Sequence, residues 1–230
     1  EIIEICRRHH ILIVEDNPYG LLGFEGQTYT ALKTLAPNDV VYLGSFSKIF
    51  APGYRVGWAV APPAVREKMK LASEAAILCP SSVGQYSVST YLESFDWKQQ
   101  VEEFRGMYRG RRDAMISALG EFMPMCTWNV PAGGFYVWVG LPDGLDAKDM
   151  LPRAVTNLVA YVSGTAFYSG GSAGHDHVRL SFCYPEPANI REGVRRLSEV
   201  VAQDLELVTL FGPSHTRPIE GVSAPAPDQI

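Results

Sequence analysis

Several classes of protein are excluded by what this sequence lacks. It has four cysteines, Cys6, Cys79, Cys126 and Cys183, and no two of them form a CxxC pair. That spacing argues against a thiolate zinc site and against a dense disulfide framework, and reduced thiols in a cytoplasmic protein are the simplest reading. No apolar run approaches the ~18 residues of a membrane span, and no secretory leader opens the chain. Positive charge is not in excess: 20 Lys and Arg face 25 Asp and Glu, for a net charge of -5. Neither nucleic acid nor an anionic membrane is therefore expected as a partner. No GxGxxG follows a strand-like run, which disfavours a nicotinamide dehydrogenase. An opening methionine is also lacking. The first residues, EIIEICRRHH, read as the later turns of a helix, and we expect an upstream segment carrying site residues of its own.

What is present suits a globular chain of alternating elements. Hydrophobic residues make up 47% of the sequence, enough for a sizeable core. ILIVED (11–16), VVYLGSF (40–46) and RVGWAVAP (55–62) are short apolar runs that read as buried strands, and 63–76 reads as a helix. Strands alternating with helices predict an α/β sheet. Apolar residues at helical spacing, Val101, Phe104, Tyr108, Met115, Leu119 and Phe122, predict one long helix. GGFYVWVGL (133–141), VAYVSG (159–164) and HVRLSF (177–182) read as further strands, with a helix between over 147–158. Ile190, Val194, Leu197 and Val201 predict a last helix. The expected organisation is a cofactor-holding part over 1–87, a smaller α+β part over 88–205 and a Pro-, Gly- and Ser-rich flexible tail over 206–230.

Three segments concentrate chemistry. In GSFSKIFAPGYRVGW (44–58), Lys48 follows Ser45 and Ser47 at a predicted strand end, and Arg55 stands seven residues on, past a Pro-Gly turn. A lysine set behind a buried strand is open to desolvation, and a neutral amine is what imine chemistry requires. Hydroxyls and a guanidinium together can hold a phosphate. In EDNPYG (15–20), a carboxylate at a strand end can keep a ring nitrogen protonated, and Tyr19 can donate to a ring oxygen. In HVRLSF the two-residue period places Val178, Leu180 and Phe182 on one face and Arg179, Ser181 and Cys183 on the other. An arginine so placed suits a carboxylate.

These segments resemble the class I/II aminotransferases of the fold-type I pyridoxal phosphate enzymes, most nearly the 2-aminoadipate, kynurenine and aromatic or branched-chain aminotransferase group. The pattern S-F-S-K-x-x-x-P-G-x-R-x-G-W is present at every fixed position, with E-D-x-P-Y before it and R-L-S-F after it. The resemblance covers roughly residues 1–205. It implies that Lys48 forms the Schiff base with pyridoxal 5'-phosphate and carries the proton of the 1,3-shift. It likewise implies that Asp16 pairs with the pyridinium nitrogen and Tyr19 with the phenolic oxygen. Ser45, Ser47 and Arg55 would contact the phosphate, and Arg179 the substrate α-carboxylate. The implied reaction moves an amino group from an amino acid to a 2-oxo acid, 2-oxoglutarate being expected, in a homodimer. The family's large domain begins well before the part that this sequence resembles, and the family's phosphate-binding loop, ring-stacking aromatic residue and asparagine are not found in these residues.

Other readings stay open. An aminotransferase-like effector domain of a transcription regulator would share the lysine, as would a lyase on the same fold. Each residue also has a structural alternative: solvated charge for Lys48, a turn or cap for Asp16, core packing for Tyr19, ion pairs for Arg55 and Arg179. Phe135, Tyr136 and Trp138 read as core, and Gly170, Gly171 and Gly174 as a flexible loop. No metal is expected. His9 and His10 are neighbours that diverge on a helix, and His175 and His177 have no third ligand nearby.

Overall fold

The computed structural model describes residues 1–26 and 29–212. The chain divides into two units. The first comprises Glu1–Arg109 with Ala132–Gly134, the second Gly110–Pro131 with the residues from Phe135 onward.

In the first unit, α1 (Ile2–Arg8) precedes β1 (Ile13–Asp16), and the single turn α2 (Leu32–Leu35) precedes β2 (Val40–Ser45). Two 3-10 turns, Phe46–Lys48 and Pro52–Tyr54, lead to β3 (Gly57–Val60). α3 (Pro63–Ile77), α4 (Ser82–Ser94) and α5 (Trp97–Phe122) follow. Strand β2 is central, parallel to β1 and antiparallel to β3. Proline opens α3, where its missing N–H costs nothing. Ser81 caps α4 by accepting from the Gly84 N–H at 3.1 Å.

The buried strands expected at 11–16 and 55–62 are half right. Val40 and Val41 of β2 are buried, but Val14 of β1 is 59% exposed and Val60 of β3 is 49% exposed. Both are edge strands among the described residues, each with one paired neighbour, so burial falls on the middle strand.

The second unit holds β4 (Thr127–Trp128), β5 (Tyr136–Gly140), α6 (Ala147–Thr156), β6 (Val162–Ser163), β7 (His177–Ser181) and α7 (Pro187–Phe211). Its sheet is antiparallel, in the order β4-β5-β7-β6. One face is core: Val137, Val139 and Val178 are fully buried, and Leu180 nearly so. Leu180, Met115 and the α7 residues Ile190, Val194 and Leu197 line a common apolar cavity of about 250 Å³. The other face carries Tyr136, Trp138, His177, Arg179 and Ser181 by the same alternation.

Several boundaries differ from expectation. The two units divide at Arg109–Gly110, inside α5, rather than near residue 87. Helix α4 packs on the first unit, where the Phe50 and Tyr91 rings stack at 4.4 Å. The last helix runs to Phe211, beyond the expected tail start at 206, and residues 213–230 of that tail lie outside the described residues. The strand expected over 159–164 shortens to Val162–Ser163: Gly164 opens a 3-10 turn at one end, and at the other the Val159 N–H is still bonded back to the Ala154 carbonyl of α6. No helix among the described residues is long and apolar enough to cross a membrane.

Candidate active site

The first cluster is built at the ends of β1 and β2. Parallel register pairs Asp16 with Leu43, and the Asn17 N–H extends the ladder to the Leu43 carbonyl at 3.0 Å. Paired residues share a face, so Asp16 lies on the same side of the sheet as Ser45, two residues beyond Leu43. The neighbouring acid is spoken for, since Glu15 accepts from the Lys33 N–H at 3.1 Å. Asp16 is exposed and has no side-chain partner among the described residues.

Ser45 ends β2 and caps the 3-10 turn that carries Lys48. Its Oγ accepts from the Ser47 N–H at 3.0 Å, which leaves its own hydroxyl hydrogen able to donate. The Phe46 N–H donates to the Val56 carbonyl at 3.1 Å, and the Phe50 N–H to the Phe46 carbonyl at 2.9 Å. These bonds hold the lysine segment against the strand that follows. Lys48 is half-buried, and its Nζ lies 6.0 Å from the centre of the Tyr19 ring. Beside Ser45 a cavity of about 400 Å³ is lined by Asn17, Pro18, Tyr42, Ile49 and Trp58, among others.

Two features of the motif have local causes. A Cβ on Gly44 would sit 2.3 Å from the Trp58 ring, so that ring crosses the strand only over glycine. Arg55 ends the Pro52–Tyr54 turn in the left-handed region, at φ 55°. It is exposed, and its guanidinium donates to the Pro52 carbonyl at 3.2 Å. No carboxylate pairs with it among the described residues, so its remaining N–H groups stay available to an anion.

The second cluster lies in the second unit. Arg179 on β7 is half-buried, and its Nε is buried without a hydrogen-bond partner. The guanidinium carbon lies 4.0 Å from the Tyr136 ring centre and 4.6 Å from that of Phe167. A cavity of about 300 Å³ adjoins it, lined by Tyr136, Ala160, Tyr161, Val162, Arg179 and Ser181. The expectation that Tyr136 and Trp138 are core is corrected here. Alternation puts them on this open face instead, and only Phe135 is buried. Phe167 has no signal in the sequence, because a 3-10 turn leaves no periodic pattern.

His175 and His177 have structural partners. His175 Nδ1 is 2.7 Å from Asp146 Oδ2, and His177 Nδ1 is 2.7 Å from Asp176 Oδ1. Burial works to raise the Asp146 carboxyl, but the Lys148 N–H, His175 and the Asp149 N–H hold it below the usual carboxylate range. Gly170, Gly171 and Gly174 all have positive φ, near 69°, 65° and 77°. Gly174 is more than loop freedom, since a Cβ there would sit 2.5 Å from the Tyr168 ring.

The segments that carry these clusters match the family described as Aminotransferase class I and II over residues 1–197. The chain belongs to the class I and II aminotransferase family. It is 39% identical over 207 residues to the aromatic-amino-acid aminotransferase 1 of Thermococcus litoralis, covering 89% of this chain and 49% of that protein. Among solved structures, the Pyrococcus horikoshii kynurenine aminotransferase aligns with a TM-score of 0.85 at 41% identity, over 89% of this chain and 51% of that one. The α-aminoadipate aminotransferase of Thermus thermophilus, complexed with N-(5'-phosphopyridoxyl)-L-leucine, aligns with a TM-score of 0.86 at 34% identity, over 90% of this chain and 54% of that one. The fold is that of the fold-type I pyridoxal phosphate enzymes. The chain spans about half the length of these aminotransferases.

Proposed function

We propose that this chain is the lysine-bearing part of a pyridoxal phosphate-dependent aminotransferase that moves an amino group from an amino acid to a 2-oxo acid, with 2-oxoglutarate the expected acceptor. The observation that carries the reading is the strand-end cluster: Lys48 on a serine-capped turn, 6.0 Å from the Tyr19 ring, beside the strand that ends in Asp16. Its donor set suits the cofactor. An amine can hold an aldehyde carbon, and a carboxylate with no other partner can hold a protonated ring nitrogen. A guanidinium bonded only to a backbone carbonyl can hold a phosphate.

When bound, the cofactor supplies the electron sink for charge that develops at the substrate α-carbon. The side chains do the rest. Lys48 would hold the cofactor covalently through its amine, and the same amine would carry the proton at the substrate α-carbon. Asp16 would hold the ring nitrogen protonated. Tyr19 would donate from its hydroxyl to the ring oxygen. Ser45 and Ser47 offer hydroxyls to the phosphate, and Arg55 a charged fork of N–H donors. Arg179 receives the substrate carboxylate, consistent with a cationic group that no acid in the described residues neutralises. The active species is a cytoplasmic homodimer.

The test is the absorption spectrum of the full-length protein with pyridoxal phosphate, with and without Lys48→Ala, followed by a screen of amino donors. A visible band present in the parent and lost in the variant, with turnover of an aromatic or 2-aminoadipate-like donor, supports the reading. A band that survives Lys48→Ala contradicts it.

A further inference from the structure

We infer that Tyr136 and Phe167 are positioning residues that fix the orientation of the Arg179 guanidinium and keep its charge open to a carboxylate. This rests on the proposed role of Arg179. The starting observation is that a half-buried arginine has rings where the other described arginines of this unit have acids. Arg111 pairs with Glu186 at 2.7 Å and Arg153 with Asp204 at 2.5 Å. Arg179 has no ion pair or hydrogen bond among the described residues, and its Nε is buried. What it has are two ring centres within 4.0 and 4.6 Å of its central carbon.

A ring face attracts a guanidinium through its quadrupole but cannot neutralise it or occupy its N–H edge. An aspartate in the same place would do both, and would then compete with an incoming carboxylate for the same donors. The rings therefore hold the cation while leaving its binding edge available.

The neighbouring structure fixes the rings. Tyr136 and Trp138 are alternate residues of β5, and Trp138 pairs with Arg179 across the ladder. Phe167 ends the 3-10 turn that starts at Gly164. Its ring meets Trp138 edge-on at 5.3 Å and 82°, and Trp138 in turn stacks on His177 at 5.3 Å and 20°. The turn can close because residue 164 is glycine: a Cβ there would lie 2.3 Å from the Gly174 carbonyl oxygen. The column from His177 through Trp138 to Phe167 thus braces one ring, and the strand braces the other.

The experiment measures binding of 3-phenylpropionate and of its primary amide to the cofactor-loaded full-length protein by titration calorimetry. The variants are Tyr136→Leu, Phe167→Leu, Tyr136→Phe and Arg179→Gln. Leucine keeps an apolar side chain and removes the quadrupole. We expect each leucine variant to weaken carboxylate binding about 5- to 30-fold, to change amide binding less than twofold, and Tyr136→Phe to retain carboxylate affinity. Should a leucine variant fail to fold, Tyr136→Met and Phe167→Met pose the same question. Equal losses for acid and amide, or carboxylate affinity unchanged in both ring variants while Arg179→Gln loses it, overturn the positioning role alone. Carboxylate affinity unchanged in Arg179→Gln overturns the reading of Arg179 itself, and this inference with it.

Discussion

Gly44 shows how tightly the lysine segment is specified at single positions. The Trp58 ring occupies the space a side chain would take, 2.3 Å from an added Cβ. Gly44→Ala should therefore displace that ring from the strand bearing Lys48 and cost about 1–3 kcal/mol, read as a drop in denaturation midpoint. Asp146 gives a pH prediction. Its carboxyl is held below the usual range against the opposing effect of burial, by the Lys148 N–H first, then His175 and the Asp149 N–H. A carboxyl depressed in the folded state stabilises fully above the unfolded value of about 3.9, and that contribution is lost as pH falls through the folded value. Asp146→Ala also removes the α6 cap, at about 1 kcal/mol near neutral pH. Urea midpoints measured from pH 7 down to pH 3 should converge for parent and variant at the acid end. A gap that widens on acidification would contradict this.

Helices and strands are legible wherever one face is buried. The alternation in β7 is one case: Val178, Leu180 and Phe182 are buried, and Arg179 is on the other side. The stripe of α7 is another, with Ile190, Val194, Leu197 and Val201 all buried. Leu197→Ala should cost about 2–5 kcal/mol in thermal or chemical unfolding. Legibility fails where a device other than periodicity decides. Helix α6, expected to reach Leu158, ends at Thr156. Leu158 there has φ 58°, with its N–H bonded to the Val155 carbonyl and the Val159 N–H to the Ala154 carbonyl. That is a Schellman ending with leucine where glycine is usual, so the sequence carries no stop signal. Leu158→Gly should stabilise the protein by about 1 kcal/mol, and an unchanged or lowered melting temperature would show that the leucine's packing outweighs its strain. Helix α4 escapes a reading by pattern because its apolar residues fall on both sides: Val83 and Tyr86 are exposed while Val88 is buried.

At the level of the whole chain, the family is the most legible feature, because one unbroken motif carries it, whereas the burial of the first unit is the least. Val14, Val60, Leu71 and Ile77 of that unit are 49–60% exposed. The homodimer is a proposal, and sedimentation of the full-length protein should give a species of twice the protomer mass. The catalytic reading is also concentrated in one place, since each assigned role in the first unit depends on Lys48 meeting the cofactor. Borohydride reduction of the pyridoxal phosphate-treated protein, followed by digestion and mass spectrometry, tests that directly. The account predicts a phosphopyridoxyl group on the peptide containing Lys48 and on no other lysine. Labelling at a different lysine, with Lys48 unmodified, would contradict it.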